Sequence, residues 1–398
     1  MPGTQGPLNA FLDLRQMPVA NAESGPLAGL RLAVKDIYDV AGYRTGCGNP
    51  QKFEEAHTAL RTAEPVQMIL DAGARFVGKT QTDELAFSLF GQNSHFPFPV
   101  NPAAPERVTG GSSSGSASAV AGGLANIATG SDTGGSIRAP ASFCGLIGLR
   151  TTHGRVPLDG AMKLASSFDT FGWFADDIET YEAVGKLLLG RDPHQHPLSR
   201  PLSIRWLDAF VTGPAEAAEY ARMKALAAGV IGRPAETEHT FASFPDELYW
   251  CFRRLQAFEA WREHGAWISS GGRLGPGVAE RFGFGRTIDA GTVAAETARR
   301  LAFRAELGAL LGDNGFLVLP TVPGAAPLAS STPEQFQAYR ERALHLLCLS
   351  GLSGFPQITL PVGSVDGAPF GLSLLGPSGS DVALIRLGRK ILDAARKV

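Results

Sequence analysis

The chain has 398 residues, 44% of them hydrophobic and 19% charged, with 48 glycines and 27 prolines. That hydrophobic share excludes a disordered chain, and glycine and proline are too few for collagen. Lys and Arg number 36 against 38 Asp and Glu, a net charge of −2 with no long run of either sign, so no footprint for nucleic acid or an anionic membrane is expected.

In chain order, residues 29–40 (GLRLAVKDIYDV) alternate as a strand does and end in a turn at Ala41-Gly42. Residues 60–74 read as a helix closed by Gly73, Ala74–Val77 as a short strand, and Thr82–Leu89 as the start of another helix. From 110 to 130 a Gly/Ser stretch runs into a helix of small residues. Segments 224–232, 247–268 and 292–311 are helical by pattern, which makes about 200–311 a helix-rich, variable section. Strands return at Phe316–Leu319, Gln357–Val362 and Phe370–Leu375, and Asp381–Ala395 is a last helix. This order predicts one α/β domain over 1–398, its sheet closed by distant parts of the chain. No basic stretch followed by an apolar core opens the chain at Met1-Pro2-Gly3-Thr4-Gln5, and no run of 18 apolar residues occurs. Cys47, Cys144, Cys251 and Cys348 are too scattered for CxxC chemistry and read as buried, reduced thiols. A cytoplasmic protein without membrane or nucleic-acid partners is expected; its oligomeric state stays open, a homodimer being one option.

Two short motifs match by letter alone. Gly73-Ala-Arg-Phe-Val-Gly78-Lys79-Thr80 fits the GxxxxGK[ST] phosphate loop, which needs a strand before its first glycine and a helix at its lysine. Here the expected order is reversed. Gly111-Ser112-Ser113-Ser114-Gly115 fits the GxSxG nucleophile elbow, but the preceding NPAAPERV holds two prolines and no strand pattern.

The informative segment is longer. Residues 110–150, GGSSSGSASAVAGGLANIATGSDTGGSIRAPASFCGLIGLR, hold ten glycines, eight serines and three charges, Asp132, Arg138 and Arg150. A linker would not end in the apolar Phe143–Leu149; a packed cleft wall, where glycine lets backbone approach a ligand, fits better. This stretch resembles the amidase signature family of serine hydrolases. LRLAVKDIYDV, GKTQTDELAF, SSFDTFGWFADD, GFPQITLPVG and GAPFGLSLLG extend the resemblance over most of the chain. SFDTFGWFA and LQAFEAW are similar to the shorter, indole-3-acetamide hydrolase-like amidases. Two departures are Ser114, where many members have glycine, and Arg150-Thr151-Thr152-His153, where Lys-Pro-Thr is commoner.

The resemblance implies a central mixed β-sheet covered by helices and hydrolysis of a small carboxamide to carboxylate and ammonia, without metal or organic cofactor. It places a Ser–cis-Ser–Lys triad on Ser136 as nucleophile, Ser112 as relay behind a cis Gly111–Ser112 peptide, and Lys35 as base. It places an oxyanion hole on the N–H groups of Thr133, Gly134, Gly135 and Ser136. The chemistry is coherent. A lysine near its ordinary pKa of ~10.4 is charged and cannot act as a base, so Lys35 must be desolvated. Alternation puts Lys35 on one face of its strand, among apolar neighbours, and Asp36 on the other. Oxyanion donors are worth ~3–4 kcal/mol each. Asp132 and Arg138 are spaced to pair and brace the loop.

Other residues read as structural. Cys144 reads as a core thiol, and no metal spacing occurs among the eight histidines. Gln256 and Glu259 read as surface positions, with a substrate-facing role the lesser option. For Trp173 and Trp261 an aromatic pocket wall is likewise the lesser option. Two rival functions remain: the glutaminase (A-type) subunit of a tRNA-dependent amidotransferase, and a catalytically silent amidase-like binding protein. The presence of Lys35, Ser112 and Ser136 together disfavours the latter.

Overall fold

The fold, a computed structural model, describes residues 3–238 and 241–397. Met1 and Pro2, which open the segment read for a leader, lie outside them. Twelve strands form one mixed sheet among the described residues. They are β1 Thr4–Gln5, β2 Phe11–Leu12, β3 Arg31–Lys35, β4 Arg75–Thr80, β5 Ile127–Asp132, β6 Ile147–Arg150, β7 Thr170–Ala175, β8 Arg200–Ile204, β9 Ala235–Thr237, β10 Gly315–Pro320, β11 Gln357–Val365 and β12 Ala368–Leu375. Their order in space is β1-β2-β4-β3-β5-β7-β6-β11-β12-β10-β8-β9. Parallel pairing joins β4, β3 and β5; antiparallel pairing runs from β5 through β7, β6, β11 and β12 to β10. The β6–β11 contact, Ile358 opposite Leu149, joins segments about two hundred residues apart and closes the sheet.

The early helices are α1 Pro50–Glu55, α2 Glu64–Asp71, α3 Ser114–Ala121, α4 Arg138–Cys144 and α5 Ile178–Leu189. The section from 200 to 311 carries α6 Arg205–Asp208, α7 Gly213–Ile231, α8 Pro245–Ser269, α9 Val278–Arg286 and α10 Ala290–Leu311, and it contributes β8 and β9 to the same sheet. Then come α11 Pro333–Ser353 and α12 Asp381–Ala395. The periodic apolar stripe of α12 buries Leu384, Ile385, Ile391 and Leu392, and Gly388 lets it approach Leu360 of β11.

Two sequence expectations change. Thr82–Leu89 is not a helix: only Glu84–Ala86 forms a 3₁₀ turn, with Leu85 and Ala86 at positive φ. The Asp83 N–H bonds Ser112 O and the Leu85 N–H bonds Cys47 O, so tertiary partners take the donors a helix would use. Helix α11 was not expected; its second half, LHLLCLSGLS, is buried on all sides and so shows no amphipathic period. Trp173 is no cavity wall: it is wholly buried and stacks on Tyr181 at 4.8 Å.

Lys79 settles the phosphate-loop match. It lies inside strand β4, and its ammonium pairs with Asp36 at 2.7 Å and donates to Thr45 Oγ1 and Arg44 O. No helix begins at this lysine.

Helix α3 is made of small residues because it lies directly on backbone. A Cβ on Gly115 would collide with Ala10 O and sit 2.6 Å from Gln81 N. Gly229, in the last turn of α7, has nothing within 4 Å. Gly115→Ala should therefore cost ~1–3 kcal/mol of stability, whereas Gly229→Ala should add ~0.5–1 kcal/mol. Denaturant unfolding of both variants checks this; the same sign for both would contradict the packing described.

Candidate active site

Strand β3, paired on both sides by β4 and β5, carries Lys35 at its end, where it is completely buried. Asp36, the next residue, turns to the opposite side and meets Lys79. The surroundings of Lys35 are hydroxylic rather than apolar, which corrects the sequence expectation. Its Nζ lies 2.8 Å from Ser112 Oγ, 2.8 Å from Ser131 Oγ and 3.0 Å from Ser113 Oγ. Hydroxyls can satisfy an amine in either protonation state, whereas a carboxylate would hold it charged. Burial lowers the lysine pKa to about 7, against the opposing pull of Asp83, Asp132 and Asp169 at longer range.

The peptide Gly111–Ser112 is cis. Ser112 O accepts from Asp83 N at 3.0 Å and from Thr82 Oγ1 at 2.9 Å, and Gly111 N donates to Leu89 O at 2.8 Å. A Cβ on Gly111 would run into the Asp83 carboxylate, so only glycine fits. Ser113, the central serine of the apparent elbow, faces Lys35 and the Ser131 backbone; no strand precedes it.

Strand β5 ends at Asp132, and residues 133–137 loop into α4. The Asp132 carboxylate organises this loop. It accepts from Gly135 N at 2.8 Å, Ile137 N at 3.2 Å and Arg138 N at 3.3 Å. Two buried guanidiniums close on it: Arg138 bidentately, Nε and Nη2 both at 2.9 Å, and Arg150 at 3.1 Å. Arg150 also bonds the carbonyls of Asp132, Thr133 and Phe168. Burial opposes ionisation of Asp132, but Arg138 and Arg150 outweigh it and hold the carboxyl well below the usual range. The expected Asp132–Arg138 brace is present. Arg150 is the member that the sequence reading passed over, although it is one of only three charges in 110–150.

Glycines seat the loop on the sheet. Ile137, the residue after Ser136, fills a socket in which a Cβ on Gly130, Gly148 or Gly172 would meet its side chain at 2.5–2.9 Å. Ser136 is 6% exposed, and its hydroxyl has no hydrogen-bond partner among the described residues. The structure thus joins Lys35 and Ser112 directly and leaves the Ser136 hydroxyl free; such contacts often tighten only when substrate is bound.

The oxyanion donor set differs from the one expected. Gly135 N–H is committed to Asp132, so it is withdrawn from the set. The N–H groups of Thr133, Gly134 and Ser136 carry no bond among the described residues. Thr133 is fixed through its hydroxyl, which donates to Asp169 at 2.6 Å. Asp169 also accepts from Leu164 N and Ala165 N, and burial raises its pKa to about 6. A cavity of about 520 Å³ lined by His153, Lys163, Ser166 and Asp169 opens on this side.

Gln256 and Glu259, read as surface residues, are both buried. Gln256 and Phe252 of α8 lie against Gly134, while Glu259 accepts from Ser167 N and Oγ. Cys144 is a core thiol bonded to Thr109 O, and burial pushes its pKa far up. Among the described residues no group of three or more His, Cys, Asp and Glu side chains is placed to hold a metal ion, and no helix is long and apolar enough to cross a membrane.

Residues 10–232 match the Amidase family, more than half of the chain. The chain belongs to the amidase family. It is 37% identical to Amidase 1 of Arabidopsis thaliana over 96% of its own length and 98% of that relative's. It is 33% identical to the A-type subunit of the glutamyl-tRNA(Gln) amidotransferase of Thermus thermophilus, over 95% of the chain and 88% of the relative. A crystal structure of an amidase superposes with a TM-score of 0.81 at 29% identity, covering 93% of this chain and 85% of that one. The chain is accordingly an amidase signature enzyme acting on C–N bonds, built on the single-domain mixed-sheet fold of its neighbours.

Arg150→Met should leave Asp132 with half its countercharge and take a donor away from the carbonyls of Asp132, Thr133 and Phe168. A loss of ~3–5 kcal/mol in denaturant unfolding is expected; an unchanged unfolding midpoint would show that Arg150 does not brace the loop.

Proposed function

We propose that the enzyme hydrolyses small linear carboxamides through an acyl-enzyme on Ser136. The observation that carries this reading is the wholly buried Lys35, 2.8 Å from Ser112 Oγ with no carboxylate in contact. A neutral lysine accepts the Ser112 proton while Ser112 accepts that of Ser136, and the Ser136 oxygen attacks the amide carbonyl carbon. The free N–H groups of Thr133, Gly134 and Ser136 face the developing oxyanion. The proton returns through the same relay to the amide nitrogen, the C–N bond breaks and ammonia leaves. Water activated by the same base then splits the ester to the carboxylate product and restores the serine. An arylacetamide, an aliphatic amide or a urea-type compound would all present the same carbonyl to this relay.

A glutaminase subunit is the second reading, favoured by identity to the Thermus relative over nearly the whole chain. The two readings separate on whether the isolated protein releases ammonia from small amides without partner proteins.

Ammonia release measured over an amide panel should fall by ~10³-fold or more in Ser136→Ala and by ~10²-fold or more in Lys35→Ala, with Cys144→Ala within about twofold of wild type. Full activity in Ser136→Ala with loss in Cys144→Ala would refute the mechanism. Because only the neutral lysine serves as base, kcat/KM should drop about tenfold per pH unit below a midpoint near 7 and level off above it. A profile flat from pH 5 to 8 would contradict that assignment.

A further inference from the structure

Helix α8 turns one face toward the loop of residues 133–137. Phe252, Gln256 and Glu259, spaced i, i+4 and i+7, share that face. Phe252 is wholly buried. Its ring meets Phe168 edge-on at 5.3 Å, and a Cβ on Gly134 would run into its Cζ at 2.6 Å. Glu259 accepts from Ser167 N at 2.9 Å and from the Ser167 hydroxyl. Gln256 sits between these two anchors, about one helical turn from each. It is 7% exposed, and its Nε2 is 3.3 Å from the place a Cβ on Gly134 would take.

A glutamine this deep is normally hydrogen-bonded, because an amide removed from water without a partner is costly. Among the described residues the Gln256 side chain makes no hydrogen bond. Its polar neighbours are committed elsewhere. Thr133 Oγ1 donates to Asp169, both Glu259 oxygens serve Ser167, and Arg300 is spent on Ser167 and the Leu352 carbonyl. The Gln256 NH2 group is thus left for a ligand.

The loop beside it has a matching deficit. In the amidase reading its backbone N–H groups receive the oxyanion, yet Asp132 withdraws the Gly135 N–H at 2.8 Å. Gln256 Nε2 lies against Gly134, the neighbour of that lost donor. A side-chain amide already fixed beside backbone donors needs no reorganisation as charge develops, and one such donor at an acyl-transfer site is worth ~10²–10³-fold in kcat. Being neutral, glutamine adds a donor without adding a charge that would act on Lys35.

We propose that Gln256 is a catalytic residue, its Nε2–H donating to the oxyanion together with the backbone N–H groups of Thr133, Gly134 and Ser136. In that step the Ser136 oxygen bonds the carbonyl carbon and its proton passes by way of Ser112 to Lys35. The carbonyl π pair moves onto the oxygen that Gln256 receives. The added donor deepens the amidase reading and rests on it for the nucleophile.

Gln256→Leu and Gln256→Glu, made in the full chain, test this through ammonia release at pH 8 and calorimetric binding of butylboronic and phenethylboronic acids. The boron bonds Ser136 Oγ and becomes a negative tetrahedral centre that stands in for the oxyanion. Gln256→Leu should lower kcat ~10²-fold with KM within about threefold, and should weaken boronate binding by a similar factor. Gln256→Glu, the closer of the two to glutamine in shape, should be the worse enzyme, because its carboxylate repels the oxyanion. A role in packing alone would put Gln256→Glu nearer to wild type. A leucine variant with kcat within about threefold of wild type, a loss confined to KM, or unchanged boronate affinity overturns the proposal. So does a glutamate variant that outperforms the leucine one. Unfolding midpoints are read alongside, and Gln256→Met replaces the leucine variant if that one fails to fold. Wild-type protein that cleaves no amide, yet loses boronate binding in Ser136→Ala, would refute the amidase reading, and the boronate affinity of Gln256→Leu would still decide on the donor.

Discussion

Lys35 lies wholly buried on an interior strand of a twelve-stranded sheet, with three serine hydroxyls and no carboxylate against its amine. An amine in that position is stable only if its polar neighbours suit the neutral form, and the hydroxyls do so. Much of the surrounding structure keeps negative charge away from it. Asp36, adjacent in sequence, is turned through the strand to Lys79. Asp132, four residues before Ser136, is neutralised by two arginines. Asp169 spends its oxygens on Thr133 and two backbone N–H groups. Asp83, Asp132 and Asp169 oppose the lowering of the lysine pKa; Asp132 and Asp169 are tied to other partners first, and Asp83 accepts from Gly91 N.

The same ties hold the loop of residues 133–137. Asp132 fixes Gly135, Ile137 and Arg138 by their N–H groups, and the N–H groups on either side of Gly135 stay uncommitted. Ile137 presses into a socket that exists because Gly130, Gly148 and Gly172 carry no side chain. Electrostatics and packing therefore act on adjacent residues: the aspartate sets the turn of the backbone, and the isoleucine sets its depth on the sheet. Ser136 lies between them, held by neither, with its hydroxyl free.

Much of this was legible in the sequence because it is local. The 110–150 stretch advertises a packed glycine wall, the alternation from 31 to 37 separates Lys35 from Asp36, and α12 begins and ends where its apolar stripe does. What was not legible depends on contacts distant in sequence. Residues 82–89 have helical composition, yet Ser112 and Cys47 draw their donors away and leave a single 3₁₀ turn. Helix α11 is buried all round in its second half and lacks a period to read. Gln256 and Glu259 look like surface residues until α8 is laid against Gly134 and Ser167. Arg150 did carry a signal, a lone charge at the end of an apolar strand, and such a charge implies a buried partner.

The central claim is that Lys35 in the folded enzyme gives up its proton near neutral pH, far below an ordinary lysine. Direct NMR titration of the Lys35 Nζ resonance in lysine-labelled protein, assigned by comparison with Lys35→Arg, measures this without any substrate. A midpoint near 7 is the result the structure predicts. A resonance that stays in its ammonium form up to pH 9 would mean that the hydroxyl cage does not keep the lysine neutral, and the proton relay built on it would fall.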